Sequence, residues 1–338
     1  MPGSALSALF SLTHMVFSRS FFRPLVVVSS LFVSSLPLHA ELLTYEGFGY
    51  TAGTFIDGQT EGTGFATTGN FTAWTDEQAA DLEDRRGTIQ AGSLTFSNLT
   101  TSGNSLVDRS STSTSQTSFA AAAMTRQLGT HLMPANETTQ TDFWIGFLVR
   151  RDVNANSNGR NGFHLRLSTF ATGASGGSAP KLYFGEPDSA DATNPYALWV
   201  QAADLSTTTA VASSNAASPV VTSDIGRTDF LVMRLTFNAG ASLGDGTFKE
   251  RMQLFVNPTP GATAPLDSNA VAVLDTPMNV TELGLIDFGD FYGATKISFD
   301  ELRGGTTYQD VAPVPEPSTL MFIDMAAILF AVRRNRRA

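Results

Sequence analysis

Acidic side chains in one short segment come nearest to a catalytic spacing. The segment Glu186-Pro187-Asp188-Ser189-Ala190-Asp191 carries acids at its first, third and sixth positions. A strand that presents alternate carboxylates to a sugar can supply a nucleophile and a general acid for glycoside hydrolysis. Pro187 would disrupt such a strand, because proline cannot donate to a β-ladder. The segment therefore predicts a loop, and a hydrolase remains the weaker alternative.

Histidine and serine give little material for catalysis. Only His131 and His164 lie between the two terminal segments, too few for most metal clusters or acid–base triads. His164 alternates with Phe163 and Leu165, so we expect it to face solvent. The segment Gly173–Gly177 has the form of a nucleophile elbow, but it leads into Ser, Ala and Pro rather than a helix. No catalytic residue is predicted.

Carboxylates in Gly-rich stretches are candidate calcium ligands. Asp287 and Asp290 lie in IDFGDFYG, and Asp245 lies in LGDGTF. Asp188 and Asp191 form a further candidate pair. Ca²⁺ takes six to eight oxygen ligands and tolerates irregular geometry, so such loops can hold it. Solvated turn carboxylates are the simpler interpretation. We expect no cofactor, with calcium at Asp287 and Asp290 as the alternative.

Aromatic residues next to polar ones are candidate sugar-stacking sites. Trp199 follows Tyr196, and Phe291 and Tyr292 follow Asp290. An aromatic ring can pack on the apolar face of a sugar while its neighbours bond to hydroxyl groups. Core packing is the competing interpretation for each of these rings.

Period-two alternation of apolar and polar residues dominates the middle of the chain and predicts strands. Gly-, Asn- and Ser-rich connections separate them, and only Thr75–Arg86 reads as a helix. This pattern predicts an all-β fold, a β-sandwich or jelly roll. The predicted strands are around Phe143–Val149 and Phe163–Leu167, and at Lys181–Gly185, Ala197–Gln201, Asp229–Asn238, Arg251–Asn257, Val271–Leu274 and Lys296–Leu302.

The first forty residues have the layout of a secretory signal peptide. Arg19 and Arg23 precede the apolar run Leu25–Leu36, and small residues lead to Ala40 and Glu41. Twelve residues are too few to span a bilayer of about 30 Å. We expect signal peptidase to cut between Ala40 and Glu41.

The charge composition of the chain limits the classes of molecule that it can be expected to bind. The 338 residues include no cysteine and carry a net charge of −10. Residues 41–315 hold 29 acidic and 15 basic side chains, a net charge of −14, which disfavours nucleic acid. Residues 1–14 contain no Lys or Arg, so Met15 is an alternative start.

The last 26 residues, 313–338, combine three features. A proline-rich segment leads into an apolar stretch, 319–332, and an arginine cluster ends it. The positive-inside rule leaves the arginines in the cytoplasm and the domain on the far side of the inner membrane. The proline-rich residues are Val314, Pro315, Glu316, Pro317 and Ser318, and the membrane-stop residues are Arg333, Arg334, Arg336 and Arg337.

These three features in this order resemble the PEP-CTERM sorting signal. The resemblance implies recognition by an exosortase-type protease, removal of the helix and delivery to the cell surface or extracellular matrix of a Gram-negative-type bacterium. Asp324 departs from the usual pattern, since an acid within a membrane helix weakens insertion. We therefore expect a marginal anchor, suited to transient retention.

Between the signals, the order of several short motifs resembles concanavalin A-like, LamG-like jelly-roll domains. The resemblance implies one jelly-roll domain, 41–312. The function expected is structural or weakly glycan-binding, with exopolysaccharide as a partner; the alternative is a glycoside hydrolase or lyase on the same scaffold. The motifs are Tyr45-Glu46-Gly47-Phe48 with Tyr50 and Gly53, Ala91–Phe96 with Ser102-Gly103, Phe143–Arg150, Leu254–Pro258 and Phe299–Arg303.

Overall fold

A computed structural model describes most of the region between the two terminal segments. The residues described are 41–76, 87–108, 123–133, 139–153, 163–168, 181–186, 196–201, 208–213, 226–239, 250–261, 263–276, 282–290 and 296–315.

Strands make up nearly all of the regular structure among these residues. In chain order they are β1 Leu42–Glu46, β2 Thr75–Asp76, β3 Thr88–Gln90, β4 Ser105–Val107, β5 Ala123–Leu132, β6 Thr141–Val153, β7 Phe163–Ser168, β8 Lys181–Glu186, β9 Ala197–Gln201, β10 Thr208–Ser213, β11 Thr228–Phe237, β12 Glu250–Val256, β13 Ala272–Thr276, β14 Leu283–Asp290 and β15 Lys296–Gly305. A 3-10 turn spans Asp267–Asn269, and a short helix, α1, spans Tyr308–Val311.

The described strands form two antiparallel sheets. The eight-stranded sheet has the order β13-β12-β11-β6-β15-β4-β3, with β1 also paired to β15. The seven-stranded sheet has the order β10-β9-β8-β7-β14-β5-β2. Consecutive strands such as β7, β8 and β9 pair with one another, while other pairs join strands far apart in the sequence, as in β6 beside β15. Two such sheets packed face to face make a jelly-roll β-sandwich, as the sequence predicted.

Apolar side chains at alternate strand positions fill the space between the two sheets. Phe147 in β6, Phe184 in β8, Phe288 in β14 and Phe299 in β15 are fully buried and contact one another, with ring centroids 4.8 to 6.1 Å apart. Because successive residues of a strand point to opposite faces, each strand contributes every second residue to this core. The opposite residues form the outer faces of the sandwich.

The outer face of the eight-stranded sheet is apolar as well. Trp144 in β6 stacks on Phe255 in β12, with centroids 5.9 Å apart, and meets Tyr308 of α1 edge-on at 5.4 Å. Val311 and Ala312 are fully buried in the same cluster. The segment that follows the last strand therefore packs back over this sheet.

The first of the family-like motifs contributes to a buried polar cluster around Glu46. Glu46 accepts hydrogen bonds from Trp74 Nε1 (2.9 Å), the Tyr50 hydroxyl (2.7 Å) and the Phe48 amide (2.9 Å). The Arg126 guanidinium lies 3.1 Å away. Burial raises the pKa of Glu46, although these donors oppose the shift. Four partners satisfy this carboxylate. Glu46 and Tyr50 of the first motif therefore have a structural role in this cluster.

The acids of the last motif hold surface segments against the eight-stranded sheet. Asp300 accepts hydrogen bonds from the Ser93 hydroxyl (2.5 Å) and from the amides of Leu94 and Glu301 (2.7 Å each). Glu301 accepts one from the Ser102 amide at 2.5 Å. Glu301 has a φ of 53°, at a register shift of β15 against β6. This irregularity turns neighbouring carboxylates toward two different segments, a role for the FDELR motif that its sequence alone did not reveal.

The helix prediction for Thr75–Arg86 is wrong at its start. Thr75 and Asp76 form β2 and pair with Thr125 and Met124 of β5. The capping pattern was misleading because a polar pair at a sheet edge has the same composition as a helix start. The remaining residues, 77–86, lie outside the described residues.

Most residues of the two terminal signals lie outside the described part of the chain: 1–40 including Ala40, Glu316, Pro317 and Ser318, the stretch 319–332 and the four arginines. Glu41 and Pro315 are described and exposed, and Val314 is half-buried. Among the described residues, no helix has the length and apolar character that a membrane crossing requires.

Candidate functional site

A row of polar and aromatic side chains crosses the outer face of the seven-stranded sheet. The register aligns Asp287 of β14 with Arg166 of β7, Arg166 with Tyr183 of β8, and Tyr183 with Trp199 of β9. Each of the four follows a core residue in its strand, so alternation turns it away from the core. We refer to these four residues as the polar row.

The polar row is a connected set of contacts. Arg166 forms an ion pair with Asp287, and Tyr183 stacks on Trp199 with centroids 5.1 Å apart and rings 8° from parallel. Burial acts to lower the pKa of Arg166, but the negative charge of Asp287 outweighs it and the net shift is upward. The guanidinium therefore remains charged. Tyr183 and Trp199 are only 5% and 7% exposed.

His164 lies beside the polar row, in a second row of small residues. Its neighbours across the sheet are Gly289 of β14 and Gly185 of β8, and Gly185 faces Ala197. Gly185 has a φ of 151°, and a Cβ there would lie 2.3 Å from the Phe163 carbonyl oxygen, so no side chain fits.

The prediction that His164 faces solvent is wrong. It lies on the face opposite Phe163, as expected, but it is 3% exposed. Its Nε2 lies 3.4 Å from Asp287 Oδ1, and its ring is 5.2 Å from that of Tyr183. Burial lowers its pKa, although Asp287 opposes the shift, so the neutral imidazole is favoured. Alternation identifies the face of a strand, not what lies over that face.

The loop expected for Asp287 and Asp290 is wrong: both belong to β14. The glycines in LGLIDFGD suggested a loop, but Ile286 and Phe288 alternate into the core. Asp287 is fully buried. No group of three or more potential metal ligands occurs in the part of the chain that the structure describes. Phe291 and Tyr292 lie outside the described residues.

Glu186 also belongs to a strand rather than a loop. It ends β8, is 7% exposed and forms an ion pair with Arg151 of β6, across the sandwich. Burial raises its pKa, while Arg151 opposes the shift. Pro187–Asp191 lies outside the described residues, as does Gly173–Gly177.

The aromatic candidates differ in their surroundings. Tyr196 is 2% exposed and its hydroxyl donates a hydrogen bond to Asp229 at 2.5 Å. Tyr196 therefore belongs to the hydrophobic core. Trp199 is on the outer face, where its apolar neighbours among the described residues are Tyr183 and Ala197. Sequence reasoning selected Trp199 but missed Arg166 and Tyr183. Alternation could have placed both on outer faces, but only the pairing of distant strands aligns them.

Comparisons with known proteins give only remote likenesses among the solved structures reported below. No family model and no curated protein matches the chain. Among solved structures, the T. cruzi calreticulin globular domain is 10% identical with a TM-score of 0.45, covering 88% of this chain and 100% of that one. Basic winged bean lectin with Tn-antigen is 9% identical with a TM-score of 0.38, covering 66% and 90%. Alginate lyase vAL-1 from Chlorella virus is 10% identical with a TM-score of 0.38, covering 69% and 93%. At these values the likeness carries no argument about function.

Proposed function

We propose that this protein is exported to the cell surface or extracellular matrix, where its jelly-roll domain binds a glycan through the polar row. The observation that carries the proposal is the stacked pair Tyr183–Trp199 beside the charged pair Arg166–Asp287. Binding to a polysaccharide of the cell's own matrix fits a non-enzymatic role.

The polar row lies outside the core between the two sheets. The opposite faces of the same strands already fill the space between the sheets, with Leu165, Phe184 and Leu198 fully buried. Removing charged groups from water is costly unless other interactions compensate. Flat aromatic surface next to hydrogen-bonding groups is the combination that a sugar ring can use, since it has apolar C–H faces and polar edges.

Export rests on the terminal segments. The signal-like residues 1–40 would bring the chain to signal peptidase, and the arginine cluster after 319–332 would hold it in the inner membrane with the domain outside. The Val314–Ser318 segment would then be accessible to an exosortase-type protease. Because proline favours an extended backbone, we expect this segment to fit a protease cleft.

The binding proposal is tested with a glycan array probed by the full-length protein and by Trp199→Ala. We expect the wild type to retain at least one glycan class, and Trp199→Ala to lose most of that binding because the stacking surface is removed. Phe96→Ala is the matched control. Phe96 packs on Phe230 at the outer face of the other sheet, 5.7 Å between centroids, so its loss should leave binding unchanged. Absence of binding by the wild type would contradict the proposal.

Export is tested by intact-mass measurement in a host with an exosortase. The released protein should lack the arginine cluster, and in a host without the protease the full tail should remain in the membrane fraction. Asp324→Leu should increase that retention, because it removes a charge from the apolar stretch. A released species that still carries Arg333–Arg337 would contradict this route.

A hydrolase or lyase on the same fold is the alternative. Turnover of β-glucan or an alginate-like polymer that disappears in Glu186→Gln would replace the binding proposal. The ion pair between Glu186 and Arg151 argues against this alternative, because it directs Glu186 into the sandwich rather than toward the polar row.

A further inference from the structure

The last described residues are bound to the domain as far as the start of the proline-rich segment. The Thr100 amide donates a hydrogen bond to the Pro313 carbonyl oxygen at 3.0 Å. The Gly261 amide donates one to the Ala312 carbonyl oxygen at 2.9 Å. Ala312 is fully buried and Val314 is half-buried. The chain therefore leaves the folded domain at Val314.

Only a short length of chain joins this point to the apolar stretch 319–332. The residues between them are 315–318, and an extended chain of this length reaches at most about 18 Å from Val314 to Thr319. The headgroup layer on each side of a bilayer is about 5–7 Å thick and takes up part of this reach. With the apolar stretch inserted, Val314 must lie within about 10 Å of the headgroups, which is about one Debye length.

The surface around Val314 differs in charge from the rest of the domain. Two segments bond to the end of the chain there, 95–103 through Thr100 and 257–264 through Gly261. Neither contains Asp, Glu, Lys or Arg, although residues 41–315 have a net charge of −14. We call their exposed polar residues the exit surface: Thr95, Ser97, Asn98, Thr100, Thr259 and Thr263.

The nearest described charges under the exit surface neutralise each other. Arg303 donates a hydrogen bond to the Thr100 carbonyl oxygen at 3.0 Å and forms an ion pair with Glu301 at 2.6 Å. Both side chains are buried. A surface that comes within a Debye length of the membrane therefore presents hydroxyl and amide groups, in a domain that is acidic elsewhere.

Phospholipid headgroups match this chemistry. Their phosphate oxygens accept hydrogen bonds, which Thr, Ser and Asn side chains can donate. Anionic headgroups repel acidic side chains at this distance, and the exit surface has none. We propose that the exit surface rests on the lipid headgroups at the outer side of the inner membrane while the tail is inserted. This rests on the proposed export and names the surface that meets the membrane before release.

The test uses single cysteines, since the chain has none of its own. Asn98→Cys places a fluorescent label on the exit surface. Thr67→Cys is the control: Thr67 is exposed and follows Ala66, whose amide bonds to the Gln127 carbonyl oxygen of β5, in the other sheet. The full-length protein, from a host without exosortase, is reconstituted into vesicles of phosphatidylethanolamine and phosphatidylglycerol that carry a spin label on a fraction of the headgroups.

We expect the spin label to quench the fluorophore at residue 98 and to leave the fluorophore at residue 67 unquenched. Equal quenching at both positions, in protein whose tail is inserted, would overturn the inference and leave the export proposal standing. A tail that does not enter the membrane would contradict the export proposal itself.

An insertion tests whether the short connection holds the surface in place. About twenty Gly and Ser residues between Val314 and Pro315 form a flexible linker, so quenching at residue 98 should fall to the level at residue 67. The same residues added after Ala338 are the matched control and should change nothing. Quenching that persists with the linker would overturn the role of the short connection.

Charge substitutions test why the surface is uncharged. Thr95→Glu together with Thr263→Glu should lower quenching at residue 98, because anionic headgroups repel the new carboxylates, and added salt should restore it. Thr67→Glu together with Thr68→Glu adds the same charge beside β5 and should leave that quenching unchanged. Circular dichroism establishes that each variant is folded. Unchanged quenching in the folded Thr95→Glu, Thr263→Glu protein would overturn the role of the uncharged surface.

Discussion

The outer faces of the two sheets have different chemical characters. On the eight-stranded sheet, Trp144, Leu148 and Phe230 face outward and are covered by the chain's own helix α1 and its flanking residues. On the seven-stranded sheet, the outward residues are charged, aromatic or very small. The first face is built from apolar residues that pack together, whereas the second carries an ion pair, a stacked aromatic pair and small residues.

The strand sequences show the same contrast. In β6, FWIGFLV is apolar at nearly every position, the pattern of a strand buried on both sides. In β7, FHLRLS alternates strictly. The continuous apolar run of β6 belongs to a strand whose outer face packs against apolar residues of the chain. The alternating sequence of β7 belongs to a strand whose outer face carries polar residues.

Removing a large aromatic residue from each face should give the largest difference. Trp144→Ala should lower the free energy of unfolding by about 3–5 kcal/mol, since Trp144 packs between Phe255 and Tyr308 in the larger cluster. Trp199→Ala should cost less than half as much, because among the described residues its apolar cluster holds only Tyr183 and Ala197. Urea denaturation measures both. Equal losses would show that the two faces contribute alike to stability.

The two faces should also respond to pH in opposite directions. Burial raises the pKa of Asp300, under the cover of the eight-stranded sheet, from 3.8 to about 8. The folded state then holds a proton that the unfolded state has released, so this group's stabilisation is lost as pH rises from about 4 to 8. The pKa of Glu301 is raised for the same reason. The pKa of His164 is lowered from 6.5 by burial, so its contribution is lost instead as pH falls below 6.5.

Between pH 6.5 and 8 only the first effect operates, and the free energy of unfolding should fall by on the order of 2 kcal/mol. Urea denaturation across this range measures it. Asp300→Asn should flatten the slope, whereas His164→Gln should leave it unchanged in this window. A wild-type stability that rises with pH here would contradict the buried, protonated state of Asp300.

The smallest expected loss of stability comes from a change at the start of helix α1. Asp310 accepts hydrogen bonds from the Thr307 amide at 2.7 Å and the Thr307 hydroxyl at 3.0 Å. Asp310→Ala should cost about 1 kcal/mol by removing this cap. The exposed neighbour Gln309 provides the control, because Gln309→Ala removes no such bond. No thermal shift for Asp310→Ala relative to Gln309→Ala would mean that the cap does not hold the cover in place.

Alternation made the strands predictable, because each must bury one face. Ala197–Gln201 is confirmed with its bounds, and Lys181–Gly185 extends by one residue to Glu186. The errors arose at Thr75, Glu186 and Asp287, where polar residues or glycines lie within strands. Local composition cannot distinguish a turn from a strand that pairs polar groups with distant partners.

The amino-acid sequence by itself determined most of the strands and the residues that face the core, since these depend on local periodicity, and the addressing role of the two ends stays a prediction from it. Tertiary structure decided which outward residues meet. The four members of the polar row come from strands whose residues are separated by as many as 121 positions between Arg166 and Asp287. Their alignment depends on the order and register of strand pairing. That order is set by the packing of the whole sandwich, for which no local pattern carries the information.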